Sequence, residues 1–99
     1  MHKSPQNTYY RTYLLSVVYL TMFSMGSDVQ CDKALKRLGL RLRAIRLQKG
    51  WTLEQTEEHG WVSWRHLQKI EGGKNITLTT LIKLARLYKV SSSEILKDI

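Results

Sequence analysis

A chain of 99 residues is long enough for one small domain with a modest core, not for two. Sixteen Lys plus Arg against eight Asp plus Glu leave a formal net charge of +8, which points to an anionic partner such as nucleic acid or acidic lipid. The one cysteine, Cys31, excludes an internal disulfide, and no Cys/His group has zinc spacing, so no disulfide framework, structural metal or cofactor is expected and a reducing cytoplasm fits.

The chain changes character near Met25. From Thr12 to Ser27, TYLLSVVYLTMFSMGS carries no charge, and almost all of the charge lies after it. The stretch is shorter than the roughly 20 residues of a spanning helix, and as a signal peptide it has a weak basic start and no clear small-residue cleavage site. Its β-branched and aromatic content suits a strand or an irregular arm better than a helix. Two readings stand for residues 1–31. They form an apolar N-terminal extension, a flexible arm that buries its surface against the domain, a second subunit or a membrane, or translation begins at Met25 or Met22 and the residues before it are not made. Cys31 reads as an inert thiol near a helix start.

Residues 32–99 read as the charged domain, a run of short helices with no strand pattern. In KALKRLGLRLRAIRLQKG, Leu35, Leu38, Leu42 and Ile45 recur at steps of three and four, one face of a helix that Gly50 ends. Thr52 with Gln55 three residues on has the spacing of a capping box for a second helix of about two turns, which stops before Gly60. Ser63 caps a third, Trp64 to about Glu71, which Gly72 and Gly73 end. Thr77 caps a fourth, with Leu78, Leu81, Ile82, Ala85 and Tyr88 along one face, and Ser91 with Glu94 repeats the capping box before a short fifth.

Turning the third helix by about 100° per residue puts Leu67 and Ile70 on one side and Trp64, Arg65, Gln68 and Lys69 on the opposite arc, with His66 and Glu71 at the borders. A solvated polar face is the plain reading. Three features weigh against it: a short helix and tight turn precede this one, a Gly-Gly-Lys-Asn loop able to offer backbone N–H groups comes after it, and the chain is basic. Arg, Gln and Lys on a short protruding helix are the donors that guanine and adenine edges accept in the major groove.

Arg46 falls on the apolar stripe of the first helix, where an unpaired guanidinium is costly. Glu71, on the core border of the third helix, is the expected partner; the alternative is that Arg46 reaches water along its own stem.

RAIRLQKGWTLEQ followed by VSWRHLQKIEGGKNITLTTLIKLARLYKV resembles the Cro/C1-type helix-turn-helix, also called the Xre family, of bacterial and phage repressors. The resemblance covers about Leu35 to Leu96. It rests on Arg46, Gly50 and Thr52, on Val62-Ser63 before the third helix, on Ile70-Glu71-x-Gly-Lys, and on the Thr-Leu-x-x-Leu-x-x-Leu-Ala run. It implies an all-α, five-helix, lambda-repressor-like bundle, the Arg46–Glu71 ion pair, and a recognition helix whose Trp64, Arg65 and Lys69 reach base edges. It also implies backbone contacts from Thr52, Leu53, Lys74 and Asn75. Gln68 joins the base-reading set from its place on the outer arc, and His66, at the border, touches phosphate. Three departures stand out. Thr56-Glu57 replaces the usual Leu-Ala, the turn glycine comes one position early as Gly60 with Trp61 in its place, and Trp64 is bulky, suited equally to wedging against thymine methyls or the sugar backbone and to packing on the second helix.

An enzyme reading is poor: no Ser or Cys nucleophile has a base and orienter at motif spacing, and no glycine loop cradles phosphate. The expected function is a sequence-specific regulator of transcription that binds double-stranded DNA, a repressor acting as a homodimer on a palindromic operator. The competing class is a protein-interaction module, an antitoxin-like partner of a toxin, for which Leu40, Leu47 and Leu87 supply apolar positions off the main stripes. A membrane-associated regulator, attached through residues 9–25, is a third.

Overall fold

The computed structural model describes residues 24–99, with side chains from Val29 onward. Its elements are all helical: α1 (Ser24–Gln48), α2 (Leu53–Glu58), α3 (Trp64–Glu71), α4 (Leu78–Tyr88) and α5 (Ser92–Leu96). Of the apolar arm expected over residues 1–31, residues 1–23 lie outside the described residues. Among those described, no helix is long and apolar enough to cross a membrane. The chain divides into two compact units, Met1–Cys31 and Asp32–Ile99, and the second holds most of α1 and all of α2 to α5.

Helix α1 begins at Ser24, well before the Leu35 at which its apolar pattern starts. The end of the uncharged stretch, Ser24 to Ser27, is therefore helix and not strand or irregular arm, and the exposed Cys31 sits inside α1. Once a helix is nucleated, each further residue adds a backbone hydrogen bond, so it can extend past the residues that carry its buried face.

Thr52, Ser63, Thr77 and Ser91 each accept the N–H three residues on, and so cap α2 to α5. The reciprocal bond of a capping box forms at Thr52, whose N–H donates to Gln55 Oε1 at 2.8 Å. At Ser91 only the forward half is present, from the Glu94 N–H. The core joins Leu38 and Leu42 of α1, Leu67 and Ile70 of α3, Leu81, Leu84, Ala85 and Tyr88 of α4, Ile95 of α5 and Trp61 from the α2–α3 turn. On α4, Leu81, Ala85 and Tyr88 of the stripe read from sequence are buried, but Leu84 joins them in the core while Leu78 and Ile82 face solvent, so the buried face is rotated toward Leu84.

Besides its buried leucines, α1 meets α5 and the end of α3 through Arg41 and Gly39. Arg41 donates to the Glu94 and Lys97 carbonyls at 2.9 Å each and to that of Ile95 at 3.3 Å, satisfying the open C-terminal end of α5. Gly39 lies against the last residues of α3. A Cβ there would overlap the Glu71 carbonyl oxygen and sit 2.7 Å from that of Ile70. On an open helix, Gly→Ala stabilises by roughly 0.5–1 kcal/mol; here the sign reverses, because backbone cannot swing aside as a side chain does. Gly39→Ala is expected to destabilise the domain by about 3 kcal/mol, read as a lower urea midpoint with unchanged slope.

Candidate nucleic-acid interface

Helices α2 and α3 pack on each other across a turn built from Gly60 and Trp61. Gly60 takes φ +107°, a conformation closed to most side chains. Its N–H bonds the Glu57 carbonyl at 3.1 Å and the Trp61 N–H bonds that of Thr56 at 3.0 Å, the paired bonds of a Schellman stop. The residue after such a glycine normally turns inward, and Trp61 is only 7% exposed. The early glycine thus displaces the turn's apolar anchor, not the start of α3, which remains Trp64 with Ser63 as its cap.

The Thr56-Glu57 departure is accommodated in two ways. Thr56 is fully buried, with its hydroxyl donating to the Leu53 carbonyl within α2. Glu57 stays exposed and its Oε2 accepts the Trp64 N–H at 2.8 Å.

On α3, Arg65, Gln68 and Lys69 are exposed, Leu67 and Ile70 are buried, and Trp64 and His66 are half-buried. The Arg65 guanidinium carbon stands 5.2 Å from the Trp64 ring centroid, within cation–π range, so the indole supports the arginine from one side. His66 lies on the other flank. Its ring is parallel to that of Trp61, with centroids 6.2 Å apart, and it lines an open groove of about 580 Å³ with His59, Lys83 and Arg86.

Thr52, Lys74 and Asn75 are exposed and Leu53 is half-buried. The backbone of the Gly-Gly-Lys-Asn loop is less free than its composition suggests. Gly72 donates to Gln68 and Lys69, Gly73 to Ile70, and Lys74 to Lys69, all closing the end of α3. Among the described bonds only the Asn75 N–H of the four is left open, so the loop offers mainly side chains.

Behind this face, Arg46 Nε donates to Glu71 Oε2 at 2.8 Å and Nη2 to Oε1 at 2.9 Å, while Nη1 reaches the Trp51 carbonyl at 2.8 Å. Both side chains are 7% exposed. The hydrogen bonds to Glu71 raise the Arg46 pKa against the opposing effect of burial. The pair ties α1 and the start of the α1–α2 connection to the last residue of α3.

Tyr88 is fully buried beneath it, and its hydroxyl has no hydrogen-bond partner among the described residues. Burial, with the Glu71 carboxylate adding to it and Arg46 opposing, holds the phenol well above its ordinary value of 10.0. The folded state therefore keeps a proton that the unfolded chain loses. That contribution is complete below about pH 10 and is lost as pH rises above it. Tyr88→Phe is expected to change stability at pH 7 by less than about 1 kcal/mol and to make melting less sensitive to alkali above about pH 10, both read by thermal melts of the two proteins side by side.

A helix-turn-helix family model matches residues 42–95, from the last two turns of α1 into α5 and more than half of the chain. No curated protein and no solved structure matches it. The matched segment includes the Gly60 turn, the α3 face and both members of the ion pair, and the described residues form the all-α fold of that family. The chain belongs to the Cro/C1-type (Xre) helix-turn-helix family of DNA-binding regulators.

Proposed function

We propose that this chain is a sequence-specific DNA-binding transcription regulator, a repressor that acts as a homodimer on a palindromic operator. The observation that carries this reading is the outward face of α3: three flexible donors, Arg65, Gln68 and Lys69, exposed on a helix whose other side is fixed by Leu67, Ile70 and the buried Glu71 carboxylate. Arg65 and Lys69 suit guanine O6 and N7, and Gln68 suits adenine. Trp64 supports Arg65 and meets thymine methyls or sugar. Thr52, Leu53, Lys74 and Asn75, with His66 from the groove flank, take the phosphates and set the docking register. One eight-residue helix reads only a few base pairs, so two copies one DNA turn apart supply a full site. Leu40 and Leu47, 62% and 57% exposed and seven residues apart along α1, offer an apolar strip for the second copy.

The same strip favours one competing reading, a protein-interaction module bound to a different chain. The two separate by salt. Arg65→Ala is expected to cost about 1–3 kcal/mol at the selected site and to relax base preference there, whereas Lys74→Ala weakens all sequences alike and flattens the salt slope by about one. Fluorescence anisotropy on selected and random duplexes at several salt concentrations checks this division; identical effects of the two variants would contradict it.

A further inference from the structure

The chain's excess of positive charge does not extend to α2, whose six residues include Glu54, Glu57 and Glu58 and no Lys or Arg. All three carboxylates are exposed. The first helix of a helix-turn-helix crosses the phosphate backbone, so α2 opposes the partner that the rest of the chain attracts. Glu57 differs from its neighbours in being held. The first N–H groups of a helix have no intrahelical partner; Ser63 satisfies that of His66, and Glu57 satisfies that of Trp64 at 2.8 Å. The carboxylate thereby fixes the first turn of α3, from which the Trp64–Arg65 pair projects. It also keeps a negative charge at the junction of the helix that crosses the backbone and the helix that reads bases. Phosphates brought to that junction lie within about one Debye length, roughly 8 Å at physiological salt.

Resting on the DNA-binding reading, we propose that Glu57 is a specificity determinant: it positions Trp64 and Arg65 for base contact while its charge weakens phosphate binding to every sequence. The two effects act on different complexes. Repulsion lowers affinity for cognate and random DNA alike, which keeps random binding weak, while positioning strengthens only the complex that uses base contacts.

The glutamine and alanine variants separate these effects. Glu57→Gln keeps an acceptor for the Trp64 N–H and removes the charge; Glu57→Ala removes both. Glu94→Gln, on α5, changes net charge equally away from the junction and serves as control. Binding of the full chain to its selected duplex and to a random duplex is measured at 50 and 200 mM salt by anisotropy. Glu57→Gln is expected to bind both duplexes about two- to fivefold more tightly at the lower salt, with the ratio between them unchanged and the salt slope steeper by up to about one. Glu57→Ala is expected to gain on random DNA but to lose at least about threefold in the selected-to-random ratio. Glu57 variants that match Glu94→Gln on both duplexes, or an alanine variant that keeps the ratio, would overturn the proposal while the DNA-reading function stood. A wild-type chain with no duplex preference overturns both.

Discussion

Glu71→Ala is expected to lower the unfolding free energy by about 3–5 kcal/mol. The cost comes from what is left behind. Arg46 is only 7% exposed, two of its three hydrogen bonds go to Glu71, and without them a desolvated guanidinium keeps a single carbonyl, that of Trp51. In a domain of this size, the midpoint of thermal unfolding then falls by more than about 12 °C. Replacing both partners, as in Arg46→Met with Glu71→Leu, should recover much of the loss, because the uncompensated charge goes with its partner. Urea unfolding of the wild type and the two variants reads the loss and its recovery. A Glu71→Ala midpoint equal to wild type would show that the pair does not hold α3 to α1.

The second large effect is on binding. Arg65→Ala with Lys69→Ala is expected to cost about 2–6 kcal/mol at the selected site, the sum of about 1–3 for each base contact. The two residues are one turn apart on α3, so their losses can depart from additivity by about 0.5 kcal/mol or more. Both are exposed and neither donates a side-chain hydrogen bond within the described domain, so its melting temperature should stay within a few degrees of wild type. Binding to random DNA should fall far less than binding to the selected site. Equal losses on both would make Arg65 and Lys69 phosphate contacts and move sequence reading elsewhere.

The helices were legible where the signal is local. Thr52, Ser63, Thr77 and Ser91 mark the starts of α2 to α5 because a hydroxyl before an apolar run satisfies an open N–H, and that geometry needs nothing from the rest of the chain. Arg46 was conspicuous as a charge on an apolar stripe, and Glu71 is the carboxylate that meets it. Non-local features were not legible. The Ser24 start of α1 has no apolar stripe to announce it, and on α4 only packing turns the face shared by Leu81, Ala85 and Tyr88 toward Leu84 and away from Leu78 and Ile82. Arg41 counts as one more positive charge until the fold brings it to the end of α5. The Gly72–Lys74 N–H groups look available for phosphate until their bonds back into α3 are traced. Glu57 reads as an intruder at a position the family gives to alanine; only the Trp64 N–H beside it shows its use.

The most direct test of sequence reading is selection by the full chain from a random duplex library, with the bound fragments sequenced at two salt concentrations. Enrichment of a palindrome whose half-sites lie about one helical turn apart, lost in the Arg65→Ala/Lys69→Ala variant, is the expected result. Weak, salt-dependent retention of every sequence by both proteins would contradict it: the +8 charge would then bind DNA without reading it, and function would lie with a protein partner.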